Sequence, residues 1–399
     1  MASLLLAIIY LAFISLGLPD SLLGSAWPEM YRVLGVELSA MGIVTTLISI
    51  GTVISSLLSD RLVKRFSTRC VVVVSVGLTA VGLFGFSFAP TFALLCLFAL
   101  PYGLGAGSID AALNNYVALH YTSRHMSWLH CFWGVGTVIS PYIMSYALGT
   151  ELGWAGGYRL VGGLQVIILI VLISTLSVWK KAGHRPPEYT TDESDGTSGG
   201  VGLARSLRIK GVPLVLLGFL SYCAAESTVM AWSSTYFFEA KATGEQLAAA
   251  LGSLFFIGMT VGRFFSGLVS NRIGDKNMIR IGFIISGVGV AIVTVPAGLG
   301  LAIAGFLLIG IGFAPIYPSI IHSTPRSFGE KNSQAIIGIQ MASAYLGATL
   351  APPLFGIIAN YLNVKLLPLY LAVFMMLSLV MLELLNKQAE EKNCINVNK

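Results

Sequence analysis

Apolar runs of roughly 20 residues, parted by short polar breaks, recur along the chain from Leu4 to Leu385. Each is long enough to cross about 30 Å of hydrocarbon as an α-helix. Twelve such stretches are predicted, at about 2–25, 38–60, 69–89, 92–118, 126–149, 157–179, 209–238, 246–270, 277–297, 299–322, 332–359 and 363–386. The first, from Met1 to Gly24, has neither a basic start nor a small-residue cleavage site, so it reads as a first span rather than as a removed leader. The fold class that follows is an all-α integral membrane protein.

Between Lys180 and Lys210 the pattern turns polar, with Pro186 and Pro187 followed by the acidic and Gly/Ser-rich run from Asp192 to Gly200. Such a composition makes a solvated linker. It divides the chain into a six-helix bundle over 1–180, a linker over 181–208, a second six-helix bundle over 209–388 and a tail over 389–399. Sliding the sequence against itself by 211 positions lays Ser56-Leu57-Leu58-Ser59-Asp60-Arg61 on Gly267-Leu268-Val269-Ser270-Asn271-Arg272. The same offset lays Gly51 on Gly262, Gly136 on Gly347 and Pro141 on Pro352. One constant offset over several helices indicates two pseudo-symmetric parallel repeats, an arrangement that places a solute site near mid-membrane.

Composition agrees: 55% of residues are hydrophobic and 11% charged, against about a quarter charged in soluble domains. Lys and Arg crowd one set of loops, among them Arg61, Lys64, Arg65, Arg69, Arg124, Lys180, Lys181, Arg272 and Lys276, while the other set holds only Arg32, Arg159, Lys241 and Lys365. The bias places both termini in the cytoplasm of a multi-pass protein of the cell membrane. The net charge of +6 is this topological bias, and no clustered basic face suggests a nucleic-acid partner. Five cysteines, mostly within spans, show neither a disulfide framework nor metal-ligand spacing. No phosphate-binding loop, zinc-protease helix or serine-nucleophile elbow is present, which argues against an enzyme and against ATP-driven transport.

Ionisable residues inside spans are functional suspects, since each costs about 2.5–3.5 kcal/mol at mid-bilayer. Asp20, Asp110, Glu226 and Arg263 are the principal ones, joined by His130. Asp110 and Asn114 stand four residues apart, hence on one face of the fourth helix, a pair able to bind a cation and to read hydroxyls. Glu226, near the middle of the seventh helix, is either a coupling site or the structural partner of Arg263 in the eighth. Asp20 follows Pro19 late in the first helix and is interfacial if that helix ends early. Asn114, Asn115, Gln165 and Gln340 are amides on apolar spans, and Trp232 offers an indole face. With His130 they are the candidate substrate ligands, because amides bind hydroxyls and indoles cover C–H surfaces.

The segment Ser56 to Arg65 resembles the major facilitator signature G-x-L-[AS]-D-R-x-G-R-[RK], departing at Ser56 and Val63, where glycine is usual. Its second copy, Gly267 to Lys276, retains Gly274. The resemblance implies a cytoplasmic gate built on Asp60, Arg61, Arg65, Asn271 and Arg272. Gly105 to Asn114, Leu129 to Pro141, Glu226 with Trp232, and Gly262-Arg263 look like the fucose/galactose/glucose:cation symporter branch. That branch implies cation coupling and sugar binding at acids of helices one and four, here Asp20 and Asp110. The expected function is cation-coupled symport of a sugar or sugar-like solute by a monomer, with H⁺ or Na⁺ as the coupling ion and no other cofactor. Gly136 to Pro141 also resembles the G-x-x-x-G-P element of antiporters, with Ser140 for its second glycine, which keeps proton-coupled efflux of amphipathic compounds as the alternative.

Overall fold

The computed structural model describes residues 2–181, 203–243, 245–295 and 298–397. Among these, twelve helices are long and apolar enough to cross a membrane. They are α1 Ser3–Val33, α2 Met41–Phe66, α3 Thr68–Ser87, α4 Phe92–His120, α5 Ser123–Leu148 and α6 Gly153–Ser174, then α7 Val212–Ala240, α8 Leu254–Ile273, α9 Asp275–Thr294, α10 Leu299–Phe328, α11 Glu330–Tyr361 and α12 Val364–Gln388. Each matches one expected stretch. Short helices at Leu176–Lys181 and Leu203–Leu207 flank the polar segment. The run Asp192 to Gly200, expected as a linker, lies outside the described residues. The last helix carries on as far as Val397, so 389–397, expected as a tail, prolongs it.

The chain forms two compact units. The first comprises Met1–His120, Trp128–Gly202 and Glu330–Ala342, and the second Tyr121–Ser127, Leu203–Gly329 and Ser343–Lys399. Within each unit the repeat is visible as the same helix contact made twice. A Cβ placed on Gly51 of α2 would lie 3.1 Å from the Leu100 carbonyl oxygen of α4, and one on Gly262 of α8 would lie 3.0 Å from the Ile311 carbonyl oxygen of α10. Both glycines and both carbonyls are related by the 211-residue offset. Backbones this close need a residue without a side chain at the crossing, the usual way for helices to gain dispersion contacts where lipid removes any hydrophobic drive.

Proline in a span frees the carbonyl four residues before it, and hydrocarbon offers no water to satisfy that oxygen. In the first unit two such oxygens are answered by side chains. The Ser15 carbonyl, freed by Pro19 of α1, accepts from Gln165 Nε2 of α6 at 2.6 Å. The Thr137 carbonyl, freed by Pro141 of α5, accepts from Ser21 Oγ of α1 at 2.7 Å, and the same hydroxyl lies 2.7 Å from Ser140 Oγ. The proline-bearing helices α1 and α5 are thereby cross-braced where each is weakest.

Two expectations change. The first span does not end near residue 25: α1 turns at Ser21 and resumes over Leu22–Val33, carrying Asp20 inside it. The apolar signal fades before the helix does because its last turns bear Glu29 and exposed Arg32. The signature copies straddle the expected ends of the second and eighth spans, near 60 and 270, and are almost wholly helical. In the second copy the helix stops at Gly274, with φ 79° and ψ 154°. In the first copy, where Val63 replaces that glycine, the helix runs one further turn and stops at Ser67 with nearly the same geometry, φ 70° and ψ 153°. This region of backbone space is kept almost entirely for glycine, and another residue held there costs about 1–3 kcal/mol. Ser67→Gly is therefore expected to raise the melting temperature of the detergent-solubilised protein, with about 1 kcal/mol gained, whereas Ser67→Val lowers it. An unchanged melting temperature in both variants would show that the turn holds no strain.

Candidate functional site

The first unit gathers its polar groups where α1, α4 and α5 meet. Asp20 is solvent-exposed at the break of α1, and both its oxygens are bonded: Tyr102 of α4 donates its hydroxyl to Oδ1 at 2.9 Å, and Trp133 of α5 donates its indole N–H to Oδ2 at 2.8 Å. The Pro19 and Ser21 interruption lets this carboxylate leave the packed face of its helix. Eight residues along α4, about 12 Å at the rise of an α-helix, Asp110 sits buried and accepts from Asn114 Nδ2 at 2.7 Å. The Asn114 carboxamide oxygen lies 3.1 Å from His130 Nε2 of α5. That oxygen can only accept, so the ring nitrogen facing it carries a proton. His130 also meets the Phe13 ring of α1 edge-on, with centroids 5.5 Å apart. Asp110, Asn114 and His130 thus form one buried chain of hydrogen bonds, and the four-residue spacing read from sequence is used as a direct bond.

The remaining candidates fall elsewhere. Asn115 turns away from Asn114 and accepts from Ser333 Oγ of α11 at 2.6 Å, beside Gln334, whose Nε2 reaches Ser59 Oγ and the Ala111 carbonyl, each at 3.4 Å. Gln340 is fully buried in α11. Gln165 spends its donor on the Ser15 carbonyl. Of the signature residues, Asp60 is buried and bonds Lys64 at 2.9 Å, Arg61 and Arg65 are exposed, and Arg65 stacks on Phe66 with its guanidinium carbon 5.3 Å from the ring centre. In the second unit, Asn271 Oδ1 accepts the Arg124 backbone N–H at 3.1 Å, and Arg272 is exposed.

Also in the second unit, Arg263 Nη2 of α8 lies 3.3 Å from Glu226 Oε1 of α7, both side chains nearly excluded from solvent. Tyr222, one turn before Glu226, donates to the Phe313 carbonyl at the break of α10 at 2.9 Å. Trp232 donates its indole N–H to the Pro352 carbonyl at 3.0 Å and packs edge-on against Phe355. Sequence reasoning missed Tyr102 and Tyr222 as partners. Each meets its carboxylate or carbonyl across a helix pair, and no spacing within one helix encodes that.

Comparison with known proteins then decides the family. The model of the Major Facilitator Superfamily matches residues 9–250 and 214–398. The chain belongs to the major facilitator superfamily. Members are secondary transporters and not enzymes, and the family fold accounts for the twelve spans. Among its relatives are the Saccharomyces cerevisiae protein named bypass of stop codon protein 6, 24% identical over 90% of this chain and 77% of the yeast protein, and the uncharacterized transporter y4wD of Sinorhizobium fredii, 27% identical over 86% of this chain and 89% of that protein. Solved structures of the same fold include the facilitator FucP in its outward conformation, with TM-score 0.73 and 14% identity over 94% of this chain and 98% of that one. They also include the proton:xylose symporter XylE, with TM-score 0.78 and 13% identity over 95% of each chain.

The Glu226–Arg263 pair yields a stability test. Removing one partner of a buried ion pair strands the other charge, at a loss of about 3–5 kcal/mol, whereas replacing both by apolar side chains of like volume is near neutral. Arg263→Met alone should lower the melting temperature steeply, and Arg263→Met with Glu226→Met should recover most of it. Failure of the double variant to recover would mean that the pair has work beyond holding α7 to α8.

Proposed function

We propose that the chain is a proton-coupled symporter of a sugar or sugar-like polar solute, working by alternating access as a monomer in the cell membrane with both termini cytoplasmic. The observation that carries this reading is the exposed carboxylate of Asp20 inside a span, held by the Tyr102 hydroxyl and the Trp133 indole. A carboxylate beside an indole ring offers what a sugar needs, an acceptor for hydroxyls and an apolar face for C–H surface. The donor set also favours H⁺ over Na⁺. A hard cation wants oxygen lone pairs turned toward it, while here an O–H and an N–H point at the carboxylate, and the indole nitrogen has no lone pair to give. A proton on Asp20 removes the charge that these two donors hold, releases them, and lowers the penalty for closing the site away from water.

In this reading Asp110 is the second, buried acid, and Asn114 transmits its state to His130. The roles follow the fucose/galactose/glucose:cation branch, whose acids in helices one and four serve coupling and sugar binding. Trp133 meets the solute, while Asn114 and His130, both buried, carry the state of Asp110. Gln165 and Trp232, whose donors are taken by backbone carbonyls, brace helices, as does the Glu226–Arg263 pair. Two fold neighbours are named as proton symporters, of fucose and of xylose. At their low identity they lend the fold, and the reading rests on Asp20.

Uptake of a labelled hexose panel into proteoliposomes, under an imposed pH gradient or Na⁺ gradient, tests the proposal. Stereoselective accumulation driven by the pH gradient alone is expected. Asp20→Asn and Asp110→Asn should each reduce accumulation to the equilibrium level while sparing counterflow exchange. Broad inhibition by amphipathic cations, without discrimination among hexose epimers, would sink the symporter in favour of efflux. Trp133→Phe keeps the ring but loses the indole donor, and a roughly tenfold weaker apparent affinity is expected from one lost charge-assisted hydrogen bond.

A further inference from the structure

In the second unit, the turn at Tyr121 and Ser123 is bonded to two residues outside the solute site, Asp275 at the end of the second signature copy and His322. His322 of α10 lies with Nδ1 2.7 Å from Asp275 Oδ2 and Nε2 3.1 Å from the backbone carbonyl oxygen of Tyr121. Ser123 donates its hydroxyl to the other oxygen of Asp275 at 2.6 Å. The two acidic and imidazole side chains are 18% and 19% exposed, so water reaches them from the loop face.

A neutral imidazole has one donor nitrogen and one acceptor nitrogen. The Tyr121 carbonyl can only accept, so Nε2 carries a proton. Opposite Nδ1 stands a carboxyl oxygen, which requires a second proton between the two, and the imidazole, the more basic of the pair, holds it as imidazolium beside the carboxylate. The arrangement thus holds one proton more than a carboxylate and a neutral imidazole hold apart. Take that proton away and one contact fails: a ring lone pair faces either the carboxylate or the Tyr121 carbonyl.

We propose that His322 and Asp275 form a proton-binding site that tethers the α4–α5 turn to α9 and α10. Other charged or titratable groups on the elements around the pair include His120 before the turn, Arg124 and His125 after it, Arg272 and Lys276 on either side of Gly274, Arg280 of α9 paired with Glu383 of α12, and Arg326 one helical turn beyond His322. The carboxylate of Asp275 is the group bonded to the ring. Because the tethered state binds the extra proton, acid stabilises it and alkali loosens it, the tether weakening as pH rises through the titration of the pair. The inference goes beyond the transport reading and holds whatever the solute is.

The test is made on the full chain in lipid nanodiscs. With ¹⁵N-labelled histidine, the resonance lost in His322→Gln assigns His322 among the five histidines. Both ring nitrogens of His322 are expected to be protonated at about pH 7 in the tethered state. Asp275→Asn should weaken its proton affinity tenfold or more, and Ser123→Ala should change it less than threefold. Hydrogen exchange of the segment around Tyr121, corrected for intrinsic rates, should lose at least tenfold protection between about pH 6 and about pH 9 in the wild type and should be fast and flat in His322→Gln. A neutral His322 ring at about pH 7, an unchanged affinity in Asp275→Asn, or a wild-type turn whose protection ignores pH would each overturn the proposal. The wild-type ring protonation and the pH dependence of the wild-type turn still decide the matter if Asp275→Asn does not fold.

Discussion

Hydrocarbon supplies neither donors nor acceptors, so a polar group carried into this chain's spans must be satisfied by another part of the chain. That constraint explains the pairings that matter most. Pro19 and Pro141 interrupt α1 and α5, and each freed carbonyl is met by a side chain from a neighbouring helix, Gln165 in one case and Ser21 in the other. Glu226 and Arg263 neutralise one another, and Tyr222 answers the carbonyl at the break of α10. Close crossing of α1 and α5 at Gly17 and Gly136 brings the short Ser21 side chain within reach of the Thr137 carbonyl.

The chemistry proposed to meet the solute grows from the same constraint. A straight α1 would bury or misdirect Asp20, but the interruption at Pro19 and Ser21 brings its carboxylate to solvent with donors from two other helices. Asp110 remains in the packed interior and is satisfied by Asn114, which in turn orients His130. The two acids therefore differ in environment: one lies at the exposed break of α1, gripped by a phenol and an indole, and the other is closed and held by an amide. Such a difference suits a division between meeting the solute and storing the coupling charge.

The signature segments illustrate how a local substitution is absorbed. Val63 takes the place where the second copy has Gly274, and the helix cannot turn there without glycine. It proceeds one full turn and breaks at Ser67 in nearly the same backbone geometry. The two repeats thus keep nearly the same backbone break, set four residues later in the copy that lacks the glycine.

The sequence by itself determined the twelve spans, the repeat offset and the membership of Asp110 and Asn114 in one helical face, because hydrophobic periodicity and i, i+4 geometry are local properties of a helix. It also marked Glu226 and Arg263 as costly charges in need of an answer. Tertiary structure alone decided which answers they received. The Tyr102 and Trp133 grip on Asp20, the use of Gln165 as a brace for α1 rather than a free amide, and the meeting of His322 with Asp275 and Tyr121 all join residues from different helices. Their partners are set by helix crossings and by where each helix breaks, and no regularity along one chain segment records those choices.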